Sequence, residues 1–207
     1  MALADALRDQ GTEVVGLSRS GNGLDITDEA SVEAHLGALD GPFDGIIVAT
    51  GALEIDGAEP EKTIRAISAR AMADQFAVNA IGPALVLRHA ARLLPREGRT
   101  VCAVLTARVG SIGDNRIGGW TSYRAAKAAA NQIVHTTSIE LGRTHPEMIC
   151  VALHPGTVKT PFTEKYLGRH PAVPASEAAE NLLSVMSGLT PEQSGGFYDW
   201  AGEEVVW

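Results

Sequence analysis

Apolar positions along this chain follow two alternating rhythms, short continuous runs and longer stretches spaced at three and four residues. The runs EVVGLS (13–18), FDGIIVAT (43–50), RTVCAVLTA (99–107), MICVALH (148–154) and a last one around GFYDW (196–200) read as strands buried on both faces, as parallel sheets require. LDI (24–26) reads as a minimal strand. Helical spacing occupies MALADALRDQ, stopped by Gly11 at the place of a C′ glycine, and DEASVEAHLGAL, opened by Thr27 or Asp28. It returns in ISARAMADQFAVNAIGPALVLRHAARLL, where Pro83 predicts a kink, in the stretch containing Tyr123, and in SEAAENLLSVMSG. Such alternation predicts a doubly wound parallel α/β sheet in three layers, one domain over residues 1–207. Right-handed crossovers then gather the binding loops at the carboxyl ends of the strands.

Charge narrows the range of partners. The net charge is −8 over 207 residues and the basic residues are scattered, which argues against nucleic acid and anionic membranes. No apolar run approaches the roughly 18 residues that span a bilayer, and Asp5 and Asp9 stand where a basic leader would be, so a cytoplasmic protein is expected. Cys102 and Cys150 fall inside apolar runs and are expected as buried thiols. Six histidines form no metal-ligand spacing, and no metal is expected.

The chemistry concentrates in GGWTSYRAAKAAANQIVHTTSIELG. Tyr123 and Lys127 are four apart there, with Ser111 twelve residues upstream. Positions i and i+4 share a helix face, so phenol and ammonium project into one pocket. A phenol titrates at about 10 and exchanges protons poorly at neutral pH unless its anion is stabilised. An opposite charge at about 4 to 6 Å lowers a pKa by about one to three units, which brings Tyr123 towards the range of efficient general acid/base catalysis. Ser111 then orients a substrate oxygen, or simply caps its glycine-rich loop; Thr106 is the second choice for that role. The plain alternatives are a partly buried tyrosine and a solvated lysine on an amphipathic helix.

Further segments surround this set in a fixed order: IIVATGAL, then VNAIG with Asn79, VGSIG with Ser111, YRAAK, and LHPGTVKTPF with Pro155, Gly156 and Thr160. Together they resemble the short-chain dehydrogenase/reductase family over nearly the whole chain. GSIGDNRIGGW and the ending SGGFYDWAGEEVVW look most like its C-factor-like branch. The resemblance implies a Rossmann-like fold and an NAD(P)-dependent oxidoreductase that interconverts a small-molecule carbonyl and an alcohol by hydride transfer. Tyr123 is then the acid/base, Ser111 binds the substrate oxygen, Lys127 also holds the nicotinamide ribose, and Asn79 holds a water in a relay to Lys127. A structural hydrogen bond is the alternative for Asn79. By the same resemblance Asp25 and Ile26 read the adenine, Ala49 and Gly51 approach the ribose, and Pro155, Gly156, Val158 and Thr160 clasp the carboxamide. Asp25 is also explicable as a turn residue, and the proline and glycine as a strand-exit turn. Arg19 after the second strand favours the 2′-phosphate of NADP over NAD, or is a surface arginine. FTEKYLGRHPAVP resembles the segment that covers substrate in the family. The helices carrying Asn79 and Tyr123 imply a homodimer or homotetramer.

Two departures temper the resemblance. ATGA stands where the family has NNAG, and the glycine-rich turn TGxxxGxG that cradles pyrophosphate does not occur in residues 1–207. MALADALRDQGTEVVGLSRS reads instead as the end of the first helix running into the second strand. Three readings follow: a start assigned too far downstream, a chain given without its true N-terminus, or a truncated protein with an impaired cofactor site. The competing function is a non-catalytic regulatory relative that binds no dinucleotide. An α/β-hydrolase is weaker still, since GLSRS lacks the last glycine of GxSxG.

Overall fold

Met148–His154 forms the best-buried strand, with six of its seven residues inside, because strands flank it on both edges and helices cover both faces. The computed structural model describes residues 2–160, 163, 165 and 172–207. Along the chain run α1 (Ala2–Asp9), α2 (Arg19–Asn22), α3 (Glu29–Gly37), β1 (Gly45–Val48), α4 (Ala69–Phe76), α5 (Gly82–Leu87), α6 (Ala90–Leu93), β2 (Thr100–Leu105) and α7 (Thr121–Leu141). There follow β3 (Met148–His154), β4 (Val158–Lys159), β5 (Val173–Pro174), α8 (Ala175–Gly188) and β6 (Phe197–Asp199). The main sheet is parallel in the order β1-β2-β3-β6, and β4 pairs with β5 in a small parallel ribbon.

Period-two alternation sorts β3 between two cores. Met148, Cys150 and Ala152 pack with Val32, Leu87 and Val134 on one face, and Ile149, Val151 and Leu153 pack with Leu182 and Met186 on the other. This is the three-layer architecture that the apolar rhythm predicts. Cys102 and Cys150 sit opposite one another in register, both free and fully buried.

Asp28 is the N-cap of α3, its carboxylate accepting the Ala30 N–H at 3.0 Å. Pro83 does interrupt its helix. Without an N–H it cannot bond the carbonyl four residues back, and the turn Ala77–Ile81 just before it widens into a π-helix. The strands expected at EVVGLS and LDI do not form: residues 12–18 pair in no ladder, and 24–26 lead into a turn. A strand needs a neighbour, and β1 is the edge of the sheet. Leu24 and Ile26 still bury their side chains, whereas Val15 is half exposed. Among the described residues no helix is long and apolar enough to cross a membrane.

Candidate active site

Helix α7 begins after Gly118, Gly119 and Trp120, all left-handed, a bend that lays its first turn beside the loop leaving β1. Tyr123 and Lys127 share its inward face, with only 7% and 3% of their surface accessible. The Lys127 ammonium lies 5.8 Å from the centre of the Tyr123 ring and donates to the Leu105 carbonyl at the end of β2, at 3.1 Å. Asn79, in the widened π turn, donates to the Ala52 carbonyl at 2.8 Å and to Gln75 at 2.7 Å, and accepts the Ala52 N–H at 3.1 Å. Gln75 in turn donates to the Leu53 carbonyl at 2.8 Å. Three elements meet at Gly51: a Cβ there would lie 3.0 Å from the Asn79 amide oxygen and 3.3 Å from the Lys127 nitrogen. Gln75 has no signal in the sequence beyond its place one helical turn before Asn79.

Burial dominates the electrostatics, and here one expectation is corrected. Removal from water pushes the Tyr123 phenol well above its ordinary value, so Lys127 does not make it more acidic in this state. The same cause lowers the Lys127 ammonium to about 8. Both charged forms are disfavoured because each would lie in a poorly hydrated site. At neutral pH the phenol therefore holds its proton.

Ser111 is not brought to this cluster by its hydrogen bonds. Its hydroxyl donates to the Val206 carbonyl and accepts the Asp114 N–H, and the Gly113 N–H donates to the Trp207 carbonyl at 2.7 Å. The single hydroxyl proton of Ser111 thus ties its loop to the C-terminal segment, which the Trp207 ring anchors by stacking on Phe197. Thr106, directly after β2, has a buried hydroxyl with no hydrogen-bond partner.

That orphan belongs to a row. The register pairs Val48 with Val104 and Val104 with Ala152; Thr50, Thr106 and His154 each follow two residues later, at the carboxyl ends of β1, β2 and β3. Each of the three carries a buried polar atom without a partner. Burial lowers His154 to about 4, so its ring is neutral. Gly156, left-handed, packs on the Trp200 indole, where a Cβ would come within 2.9 Å. Pro155 and Val158 are half-buried beside it, and Thr160 bonds Thr163 at 3.2 Å. Most of FTEKYLGRHPAVP lies outside the described residues.

The other end of the expected site is looser. Arg19 is exposed at the start of α2. Asp25 accepts the hydroxyl and N–H of Thr27 at 2.6 and 2.9 Å, and these bonds hold its carboxyl below the usual range. It is a turn residue in this state. Ile26 is buried against Gly82, which leaves little of its side chain to cover a base.

Residues 1–195 match a family model described as enoyl-(acyl carrier protein) reductase. The chain belongs to the short-chain dehydrogenase/reductase family, a family of NAD(P)-dependent oxidoreductases. Among its relatives in this family, 1-hydroxy-2-glutathionyl-2-methyl-3-butene dehydrogenase of Rhodococcus sp. AD45 is 32% identical over 188 residues, 89% of this chain and 79% of the relative. C-signal of Myxococcus xanthus is 41% identical over 141 residues, 66% and 78% of the two chains, in accord with the C-factor-like branch. A structure from Burkholderia multivorans, described as a short-chain dehydrogenase/reductase with bound NADP, superposes with a TM-score of 0.83 at 26% identity, covering 100% of this chain and 93% of that one. NADPH-bound carbonyl reductase from chicken fatty liver gives 0.73 at 27% identity, covering 89% and 75%.

A short-chain dehydrogenase/reductase holds a nicotinamide dinucleotide, and the strand-end half of this site fits one. An orphaned buried polar atom is costly, and Thr50, Thr106 and His154, at the ends of three neighbouring strands, each carry an unclaimed polar atom that a polar ligand would satisfy. Gly51 adds a surface bare of side chain above Asn79 and Lys127. For the phosphates, the family's glycine-rich turn has no counterpart within residues 1–207.

Proposed function

We propose that this protein reduces a small-molecule carbonyl compound with NADPH, Tyr123 being the proton donor. The convergence of Asn79 and Lys127 on Gly51, with the Lys127 ammonium 5.8 Å from the Tyr123 ring, carries the reading. When bound, NADPH supplies the hydride. A buried phenol that keeps its proton at neutral pH suits a general acid, which favours the direction of reduction. As the proton leaves Tyr123, the adjacent Lys127 ammonium stabilises the phenolate, and Lys127 itself, lowered to about 8, is poised to pass a proton on. Asn79 and Gln75 fix the loop at Ala52 and Leu53 that forms the wall of the site. Of the two hydroxyls beyond β2, Thr106 suits the substrate oxygen better than Ser111, whose proton is already given to Val206. Arg19 supports NADP over NAD through its charge, and the NADP and NADPH of the two neighbours above support the same choice.

The test is a fluorescence titration with NADPH followed by turnover of a carbonyl panel by wild type and Tyr123→Phe. Saturable binding and a loss of kcat of at least about 100-fold in the variant are expected. Turnover undiminished in Tyr123→Phe refutes the assignment. Binding of no dinucleotide leaves the second reading, a regulatory relative of the family.

A further inference from the structure

The start of α7 is held by a residue sixty-one positions earlier than Ser122 in the chain. Trp120, the residue before the helix, supplies no side-chain cap, so the first N–H groups of α7 need acceptors from elsewhere. Glu61 provides two kinds. Its backbone carbonyl accepts the Trp120 N–H at 2.5 Å, and its carboxylate accepts the Ser122 N–H at 3.2 Å together with the Ser122 hydroxyl. Only 8% of Glu61 is accessible. Burial works against its ionised form, yet the bonds from Ser122 and the backbone outweigh that and hold the carboxyl below its usual range. A carboxylate at a helix N-terminus is also favoured by the helix dipole.

The grip falls directly before the reacting phenol. Glu61, Ser122, Tyr123 and Gln75 line one cavity of about 10 Å³, room for about one water. Gln75 is the partner of Asn79. The loop that Glu61 occupies therefore touches both the tyrosine and the amide network beneath Gly51.

We propose that Glu61 is the positioning residue for Tyr123: it clamps Trp120 and Ser122, fixes the phenol in the first turn of α7, and keeps bulk water from it. The proposal rests on the reading of Tyr123 as proton donor. Loss of the carboxylate frees the buried Ser122 N–H and hydroxyl, which then draw water into the turn, and a small misplacement of a catalytic group is costly in rate.

Glu61→Ala, Glu61→Gln, Ser122→Ala and Tyr123→Phe, all in the full chain, test it. In the free protein, NMR of ring-labelled tyrosine follows the phenol, identified by its absence from Tyr123→Phe. Amide exchange follows Ser122 and Tyr123. Glu61→Ala is expected to bring the phenol titration down towards the ordinary 10.0 and to speed exchange at both amides, because the ring becomes wetted. With NADPH and a carbonyl substrate, kcat falls by about 10- to 100-fold while KM for NADPH stays within about twofold. Glu61→Gln restores most of each quantity, since its amide oxygen still accepts from Ser122. Ser122→Ala removes one hydroxyl, keeps the fold and gives intermediate values; it decides the matter if Glu61→Ala does not fold. Unchanged phenol titration and kcat in folded Glu61→Ala, or in Ser122→Ala, overturn the proposal, as does Glu61→Gln as damaged as Glu61→Ala. A fully active Tyr123→Phe sinks the reading of Tyr123 and this proposal with it. An inactive Tyr123→Phe beside an unimpaired Glu61→Ala sinks the positioning role alone.

Discussion

Replacing Lys127 by methionine is expected to stabilise the protein while removing its activity. The ammonium is 3% accessible, and burial takes it from 10.5 to about 8. A displacement of that size disfavours the charged form by about 3 kcal/mol at pH 7. The bond to the Leu105 carbonyl returns about 1 kcal/mol, so Lys127→Met gains about 2 kcal/mol at pH 7 with little change in volume. The pH dependence has a definite sign. Below about 8 both folded and unfolded chains carry the proton and the full cost is present. Between 8 and 10.5 the folded chain has released it and the unfolded chain has not, so stability rises with pH. Tyr123 acts oppositely above 10.0, because its raised phenol keeps a proton that the unfolded chain loses. The clean window is therefore pH 8 to 10. Urea denaturation of the two proteins across it isolates Lys127: wild type gains roughly 2 to 3 kcal/mol relative to the variant between pH 7 and pH 10. A variant less stable than wild type at pH 7, or a difference that does not shrink as pH rises, refutes the assignment of a buried, strained ammonium.

Two further expectations follow from the same geometry. Ser111→Ala loosens the C-terminal segment and lowers stability by about 1 kcal/mol with kcat preserved, whereas Thr106→Ala lowers kcat and leaves urea stability nearly intact; steady-state kinetics beside denaturation curves separate the two. Gly51→Ala drives a methyl to 3.0 Å from the Asn79 amide oxygen, which costs about 1 to 3 kcal/mol of stability and weakens NADPH binding, as read by urea denaturation and fluorescence titration.

The main helices and the four strands of the sheet were legible because their apolar residues repeat at two or at three and four, and that pattern survives whatever the loops do. Pro83 was legible as an interruption, though a missing N–H alone does not say whether the turn kinks or widens. EVVGLS and LDI were misread for a definite reason: a strand is a property of a pair of segments, and composition reports one of them. Leu24 and Ile26 obey the apolar pattern by burying their side chains, while their backbone takes a turn. The hydrogen bonds of Ser111 were not legible either. Its spacing to Tyr123 is visible in one dimension, but the Val206 carbonyl that takes its proton comes from the other end of the chain, ninety-five residues away.

The tyrosine and lysine show most clearly why identity and spacing were readable and electrostatics were not. Four residues on a helix suffice to predict that phenol and ammonium are neighbours, and they are. Attraction between their charged forms is only one of two contributions; the other is the water each charge gives up, which depends on what α4, the loop from β1 and Glu61 place over them. With both side chains more than nine-tenths covered, desolvation outweighs attraction and shifts the two groups in opposite directions, each towards its neutral form. A site in this state stores its proton on the phenol until a ligand changes the surroundings. Polar ligand atoms meeting the row of Thr50, Thr106 and His154, and an oxygen placed beside Tyr123, would supply the interactions that burial has removed. The affinity for the dinucleotide and the acidity of the phenol are on this account linked, so saturating NADPH should lower the Tyr123 titration measured in its absence. A titration unmoved by bound NADPH would place the phenol outside the cofactor site.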